Sequence, residues 1–186
     1  MKSMIFAAVA LLGATTANAA TVLFDFDSLT VGNSVGVYNG ATFTDFLVQN
    51  GFGQTSAPNF SYNTANTAGF DFASGFTAFS FTTGVFTAST VSVYSGLGGL
   101  GTLLGSVVVS DPPASPTAFA PFSVSFTGTG KSVVVTSIAG TFGWDDLRLE
   151  VAGSAVPEPQ SWAMLIAGFG LVGAAARRRR HTAVAA

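Results

Sequence analysis

Between residues 20 and 155 the chain holds eight carboxylates: Asp25, Asp27, Asp45, Asp71, Asp111, Asp145, Asp146 and Glu150. Lys131 and Arg148 are the only cations there, which leaves the stretch at a charge of −6. Two-carboxylate glycoside hydrolysis would have to rely on aspartates, and no pair stands out by its spacing. The chain has no cysteine, and its single histidine, His181, follows four consecutive arginines near the C-terminus. Ser-His-Asp and Cys-His mechanisms therefore lack a base in the body. Zinc, copper and iron sites lack imidazole and thiolate ligands. No enzyme is expected. An acidic body with two cations also suits no phosphate backbone, so no nucleic-acid partner is expected.

Calcium is the metal that such a residue set could hold, because it takes carboxylate and carbonyl oxygens. Asp25, Asp27, Asp145 and Asp146 would converge if the first and last strands were neighbours, and Asp27 and Asp145 are the candidate ligands. The competing role, favoured by composition, is that aspartates keep an apolar β protein soluble and guard its edges. No cofactor is otherwise expected. Sugar rings offer another chemistry, since they stack on exposed aromatic faces. Tyr38, Tyr62, Tyr94 and Trp144 are the candidate glycan contacts, with Asn59 and Asn63 close to Tyr62 in sequence. The 18 phenylalanines can fill a core without the tyrosines, which places the tyrosines at the surface.

The elements that must position these residues are strands. Charged residues make up only 9% of the chain and hydrophobic residues 48%, a balance opposite to that of disordered chains. Val22, Phe24 and Phe26 alternate with Asp25 and Asp27. Asn39-Gly40 sits between apolar runs, a hairpin signal, and Phe43 to Val48 continues that ribbon. Residues 50–69 read as a long loop or short irregular strands. Residues 70–86 should hold one or two strands broken at Gly75 and Gly84, followed by Val91 and Val93. Leu97 to Leu104 reads as a loop before a strand at Ser106–Val109. Phe122, Val124 and Phe126 alternate with serines, and Val133 to Ile138 is a further strand. Trp144 to Val151 closes the body, with Leu147, Leu149 and Val151 inward and Arg148 and Glu150 outward. Eight to ten short strands without a body helix predict an all-β sandwich, jelly-roll-like, over 20–152.

Both ends read as addresses. Lys2, the apolar run Ile5 to Leu12 and the small-x-small tripeptide Ala17-Asn18-Ala19 have the form of a signal peptide over 1–19. Signal peptidase is expected to cleave after Ala19. At the other end, Pro157-Glu158-Pro159 lies in an extended linker, 153–161, because proline disfavours helix in itself and in the residue before it. Residues 162–176 carry no charge and are expected to form a short transmembrane helix, with glycines at 168, 170 and 173 allowing close packing. Arg177, Arg178, Arg179 and Arg180 open a basic tail, 177–186, expected on the cytoplasmic side.

Pro157-Glu158-Pro159, then Trp162-Ala163, then a glycine-bearing apolar helix and an arginine cluster, all in order, resemble the PEP-CTERM sorting signal in its PEPxxWA form. The resemblance implies a Gram-negative host that makes exopolysaccharide, and processing near Pro159 by an exosortase. It further implies passage through the inner membrane to the cell surface or matrix, with a role tied to exopolysaccharide and biofilm. The body's opening Phe24-Asp25-Phe26-Asp27-Ser28-Leu29 and closing Trp144-Asp145-Asp146-Leu147-Arg148-Leu149 resemble the terminal strands of jelly-roll carbohydrate-binding-like domains. That resemblance implies terminal strands lying side by side and a non-enzymatic glycan-binding module. The alternative is a passive structural or adhesive matrix protein.

Overall fold

In a computed structural model the described residues are 19–51, 53–110, 119–152, 164–173 and 177. Ala19–Ala152 form one compact unit. Its strands are β1 (Ala19–Phe24), β2 (Val37–Tyr38), β3 (Ala41–Thr44), β4 (Phe46–Asn50), β5 (Asn59–Asn63) and β6 (Thr67–Phe76). They continue with β7 (Ala78–Val85), β8 (Ser89–Tyr94), β9 (Leu103–Val109), β10 (Ala120–Val124), β11 (Gly130–Thr136) and β12 (Phe142–Ala152). A single 3-10 turn, Leu97–Gly99, lies between β8 and β9.

One sheet runs β10-β7-β12-β5-β4, with β1 also on β12, and the other runs β2-β3-β6-β11-β8-β9. All the strand pairs are antiparallel. Phe24, Phe46, Phe79, Phe81 and Trp144 from the first sheet meet Phe43, Phe70, Phe76, Val91 and Val133 from the second in one buried cluster. This is the all-β jelly-roll sandwich that the alternation predicts. The terminal strands do lie side by side, in register from Ala19 opposite Ala152 to Phe24 opposite Leu147.

The structure differs from the sequence reading in the details that shape the surface. Residues 50–69 contain a full strand, β5, with inward Ser61 and Asn63 that carry no apolar signature. β9 begins at Leu103 rather than Ser106. Phe43 to Val48 is not one ribbon. Asp45 adopts a left-handed conformation (φ 61°), and the chain passes there from β3 in one sheet to β4 in the other. Phe43 and Phe46 are three apart, so a regular strand would put them on opposite faces. Because the chain changes sheets between them, both point inward, with ring centroids 6.4 Å apart. Phe76 and Phe79 repeat the device across Thr77, at 6.2 Å. Trp144 and Leu147 are a third such pair, made possible by a register break between Asp145 and Arg148 with Asp146 at φ 47°.

Gly69 shows how closely the second sheet is drawn together. A methyl group there would overlap the backbone carbonyl of Val133 in the neighbouring strand, which cannot move without breaking the ladder. Gly69→Ala is expected to destabilise the domain by about 2–3 kcal/mol, as overpacking against fixed atoms does. A denaturant midpoint measured against wild type checks this; an unchanged midpoint would contradict the packing described.

Residues 164–173 and 177 are helical, and Leu165, Ile166, Phe169, Leu171 and Val172 are exposed. Ten residues of helix reach about 15 Å, and a span takes about 20 residues. No helix among the described residues is long and apolar enough to cross a membrane, so the transmembrane helix expected at 162–176 is not found there. Ala17, Pro157, Glu158, Pro159, Trp162, Arg178, Arg179 and Arg180 lie outside the described residues.

Candidate functional site: an aromatic cleft on the first sheet

Inward Phe142 and Trp144 turn Gly143 to the outer face of the first sheet. Gly143 lies opposite Gly84 of β7 on one side and Tyr62 of β5 on the other. Tyr62 in turn lies opposite Leu47 of β4. Two side-by-side glycines leave a trough in a surface otherwise covered by side chains. Two phenyl rings lie in that trough. A Cβ on Gly143 would fall 3.1 Å from the Phe60 ring and 3.3 Å from that of Phe119, and one on Gly84 would fall 3.2 Å from Phe119. The rings of Phe60 and Phe119 meet edge to face, with centroids 5.4 Å apart.

Around them opens a cleft of about 370 Å³ lined by Gln49, Phe60, Tyr62, Gly84, Phe86, Phe119, Gly140, Phe142 and Gly143. Its size lies near the lower end for small-molecule sites. The lining is mainly aromatic, Tyr62 and Gln49 supply polar groups at its margin, and none of the described lining residues is charged. Such a surface can stack flat apolar faces and offer a few hydrogen bonds. Among the described residues it holds no acid-base pair.

One edge of the cleft is held by a loop across the sheet. Ser56 donates its backbone N–H (2.8 Å) and its hydroxyl (3.1 Å) to the Asp145 carboxylate, and Asp146 N–H donates to it as well (2.8 Å). Thr55 Oγ1 bonds Thr82 Oγ1 at 2.8 Å, and Phe119 N–H reaches the Gly53 carbonyl. Asp145 is thus fully buried although it lies on the outward side of β12. Burial raises its pKa to about 6, against the opposing pull of the Ser56 and Asp146 N–H groups. The folded form therefore binds this proton more tightly than the unfolded chain does. The stabilisation is complete below about pH 4 and is lost as pH rises through about 6. The stability difference between wild type and Asp145→Asn should change by about 2 kcal/mol between pH 4 and pH 7. Denaturant titrations of both proteins at the two pH values measure it, and a constant difference would contradict the burial of a charged carboxylate.

The candidate residues separate in the fold. Tyr62 lines the cleft. Tyr94, half-buried, is on β8 in the other sheet, following inward Val93. Tyr38 packs on Phe24 and Phe26, and its hydroxyl donates to Asp25 Oδ1 at 2.7 Å; burial, and then this bond, raise its pKa. Trp144 is 0% exposed and stacks on Phe46 at 4.7 Å in the core, so it cannot meet a sugar face. Asn59 and Asn63 are also buried. Asn59 Nδ2 donates to the carbonyls of Phe26, Asp27 and Leu29, and holds Phe26 in its left-handed conformation (φ 59°). Asn63 Oδ1 accepts from Phe142 N–H.

The two candidate calcium ligands likewise have protein partners. Asp27 Oδ1 accepts Asn59 N–H at 2.9 Å, and Asp145 is taken by Ser56 and Asp146. Among the described residues no group of three or more carboxylates or histidines is gathered closely enough to hold a metal ion. The aspartates do approach one another, since Asp25 and Asp27 add to the burial that raises the Asp146 pKa, against the pull of Arg148. Phe60, Phe86, Phe119 and Gln49 were missed as cleft residues. Only the paired glycines, which remain unremarkable until β12 and β7 are aligned, could have signalled them.

Residues 155–180 match the PEP-CTERM protein-sorting motif. The motif implies an exported protein of Gram-negative type, processed by an exosortase. No curated protein matches the chain. Among solved structures, the K2 cleaved adhesin domain of Lys-gingipain matches with a TM-score of 0.51 at 14% identity, over 70% of this chain and 99% of that one. At that identity the likeness is one of fold. A family 6 carbohydrate-binding module matches at 0.40 and 22%, over 61% of this chain and 88% of that one. CsCBM6-3 from Clostridium stercorarium, solved with cellobiose, matches at 0.41 and 17%, over 77% of this chain and 100% of that one.

Proposed function

We propose that this chain is a non-enzymatic glycan-binding module, displayed at the cell surface or in the extracellular matrix after export and exosortase processing. The observation that carries the reading is the cleft on the first sheet, where Tyr62, Phe60, Phe86 and Phe119 surround the adjacent glycines Gly84 and Gly143. Aromatic faces with a few polar groups at the margin match the amphipathic faces of sugar rings. The sorting motif supports the location, because it implies export and processing by an exosortase. Signal peptidase acting after Ala19 and exosortase acting near Pro159 would leave this domain as the mature protein. The mass of the surface form should lack everything after roughly Pro159; intact Arg177–Arg180 on that form would overturn the sorting step.

The test of binding uses recombinant residues 20–155 and polysaccharide extracted from the producing bacterium. Saturable binding that is weakened by Tyr62→Ala supports the module. A folded domain that binds no polysaccharide overturns it. A second reading, a self-associating structural or adhesive protein, is favoured by the uncharged edge strand β9, where Leu103 and Val108 are more than half exposed. It expects oligomers that light scattering detects and that a lysine at Val108 disperses.

A further inference from the structure

The cleft described above also constrains the charge of what it can hold. Lys131 and Arg148 are the only cations of residues 19–152. Lys131 lies on β11 in the other sheet. Arg148 lies beyond the Asp145 register break, opposite Ser80 and beside a separate hollow with Glu150, Ser123 and Ser125. Neither lines the cleft, whose described lining is wholly uncharged. The residues outside the description within this unit, 52 and 111–118, include one acid and no base.

A carboxylate or sulfate entering the cleft would lose water against phenyl rings and gain no counter-charge, which costs more than a neutral hydroxyl does. The domain's surplus of acids adds a longer-range repulsion that salt screens. Resting on the glycan-binding reading, we infer that the site takes uncharged glycans and rejects uronate-bearing or sulfated ones, so that its partner is a neutral polysaccharide.

The test pairs polymers that share a backbone and differ in charge. The pairs are hydroxyethyl- and carboxymethyl-cellulose, methyl-esterified and free polygalacturonate, and the bacterium's own polysaccharide before and after carboxyl reduction. Affinity electrophoresis of residues 20–155 should show binding to a neutral member, with its acidic partner bound at least about ten-fold more weakly. The gap should persist in about 0.5 M salt, where long-range repulsion is screened and desolvation is not. Gln49→Lys, which adds a cation at the cleft margin, should narrow it. Equal or tighter binding of the acidic partner overturns the inference and leaves the glycan reading standing, provided that Tyr62→Ala still weakens binding. A gap that salt abolishes also overturns it, by assigning selection to the surface field instead of the cleft. Binding to none of the pairs overturns both.

Discussion

Replacing Trp144 with alanine is expected to destabilise the domain by about 3–5 kcal/mol, the usual range for removing a buried tryptophan. The indole is fully buried and lies within 6.5 Å, centroid to centroid, of Phe43, Phe46, Phe70, Phe79, Phe81 and Phe142, so it joins the two sheets. Rigid rings from five strands cannot all collapse into the space it would leave, which places the cost toward the upper end. For a domain of this size the loss corresponds to about 10–15 °C in Tm. Circular dichroism is the suitable probe, because Trp144 is the one tryptophan of residues 20–155. A Tm within a few degrees of wild type would contradict the central placement of the indole.

The same site carries an internal control. Trp144 Nε1 and the Oγ of Ser61, which faces it across β5 and β12, are buried without hydrogen-bond partners among the described residues. Removing an unsatisfied hydroxyl relieves a desolvation penalty instead of breaking a bond. Ser61→Ala should accordingly leave stability unchanged or raise it.

Tyr62→Ala is expected to weaken glycan binding by about ten-fold or more, since an aromatic contact contributes about 0.5–1.5 kcal/mol in addition to its buried area. The fold should survive, because the side chain is half-buried on the outer face and lies outside the core cluster. Titration calorimetry against the bound polysaccharide gives the affinity, and the thermal midpoint, expected to shift by only a few degrees, separates lost contact from lost structure. Tyr62→Phe keeps the ring and should retain most of the affinity. Full affinity in Tyr62→Ala would place the binding surface elsewhere on the domain.

Much of this was legible in the residues. The alternation of Val22, Phe24 and Phe26 with aspartates, and of Leu147 and Leu149 with Arg148 and Glu150, gives strands and inward faces directly. A period of two has few other physical meanings. The sorting motif at 155–180 is equally local, since its residues follow one another in the chain. β5 escaped because its inward positions include the polar Ser61 and Asn63; Asn63 is bonded to Ile138 and Phe142, 75 or more residues away, and Ser61 lies opposite Trp144.

Trp144 shows the limit of reading residue types. Beside a glycine, it could have faced either way. Phe46 on β4 and Phe142 on its own strand decide the matter by surrounding it. The sequence alone therefore determined the sandwich class, the inward phenylalanines of the alternating strands and the sorting motif at 155–180, because each depends on neighbours in the chain. Only the tertiary structure decided which aromatics face solvent, where Asp45 and Asp146 turn or shift a strand, and that Gly84 and Gly143 meet beneath Phe60 and Phe119. Those outcomes depend on register between strands distant in sequence, and one residue of slip would reverse every face.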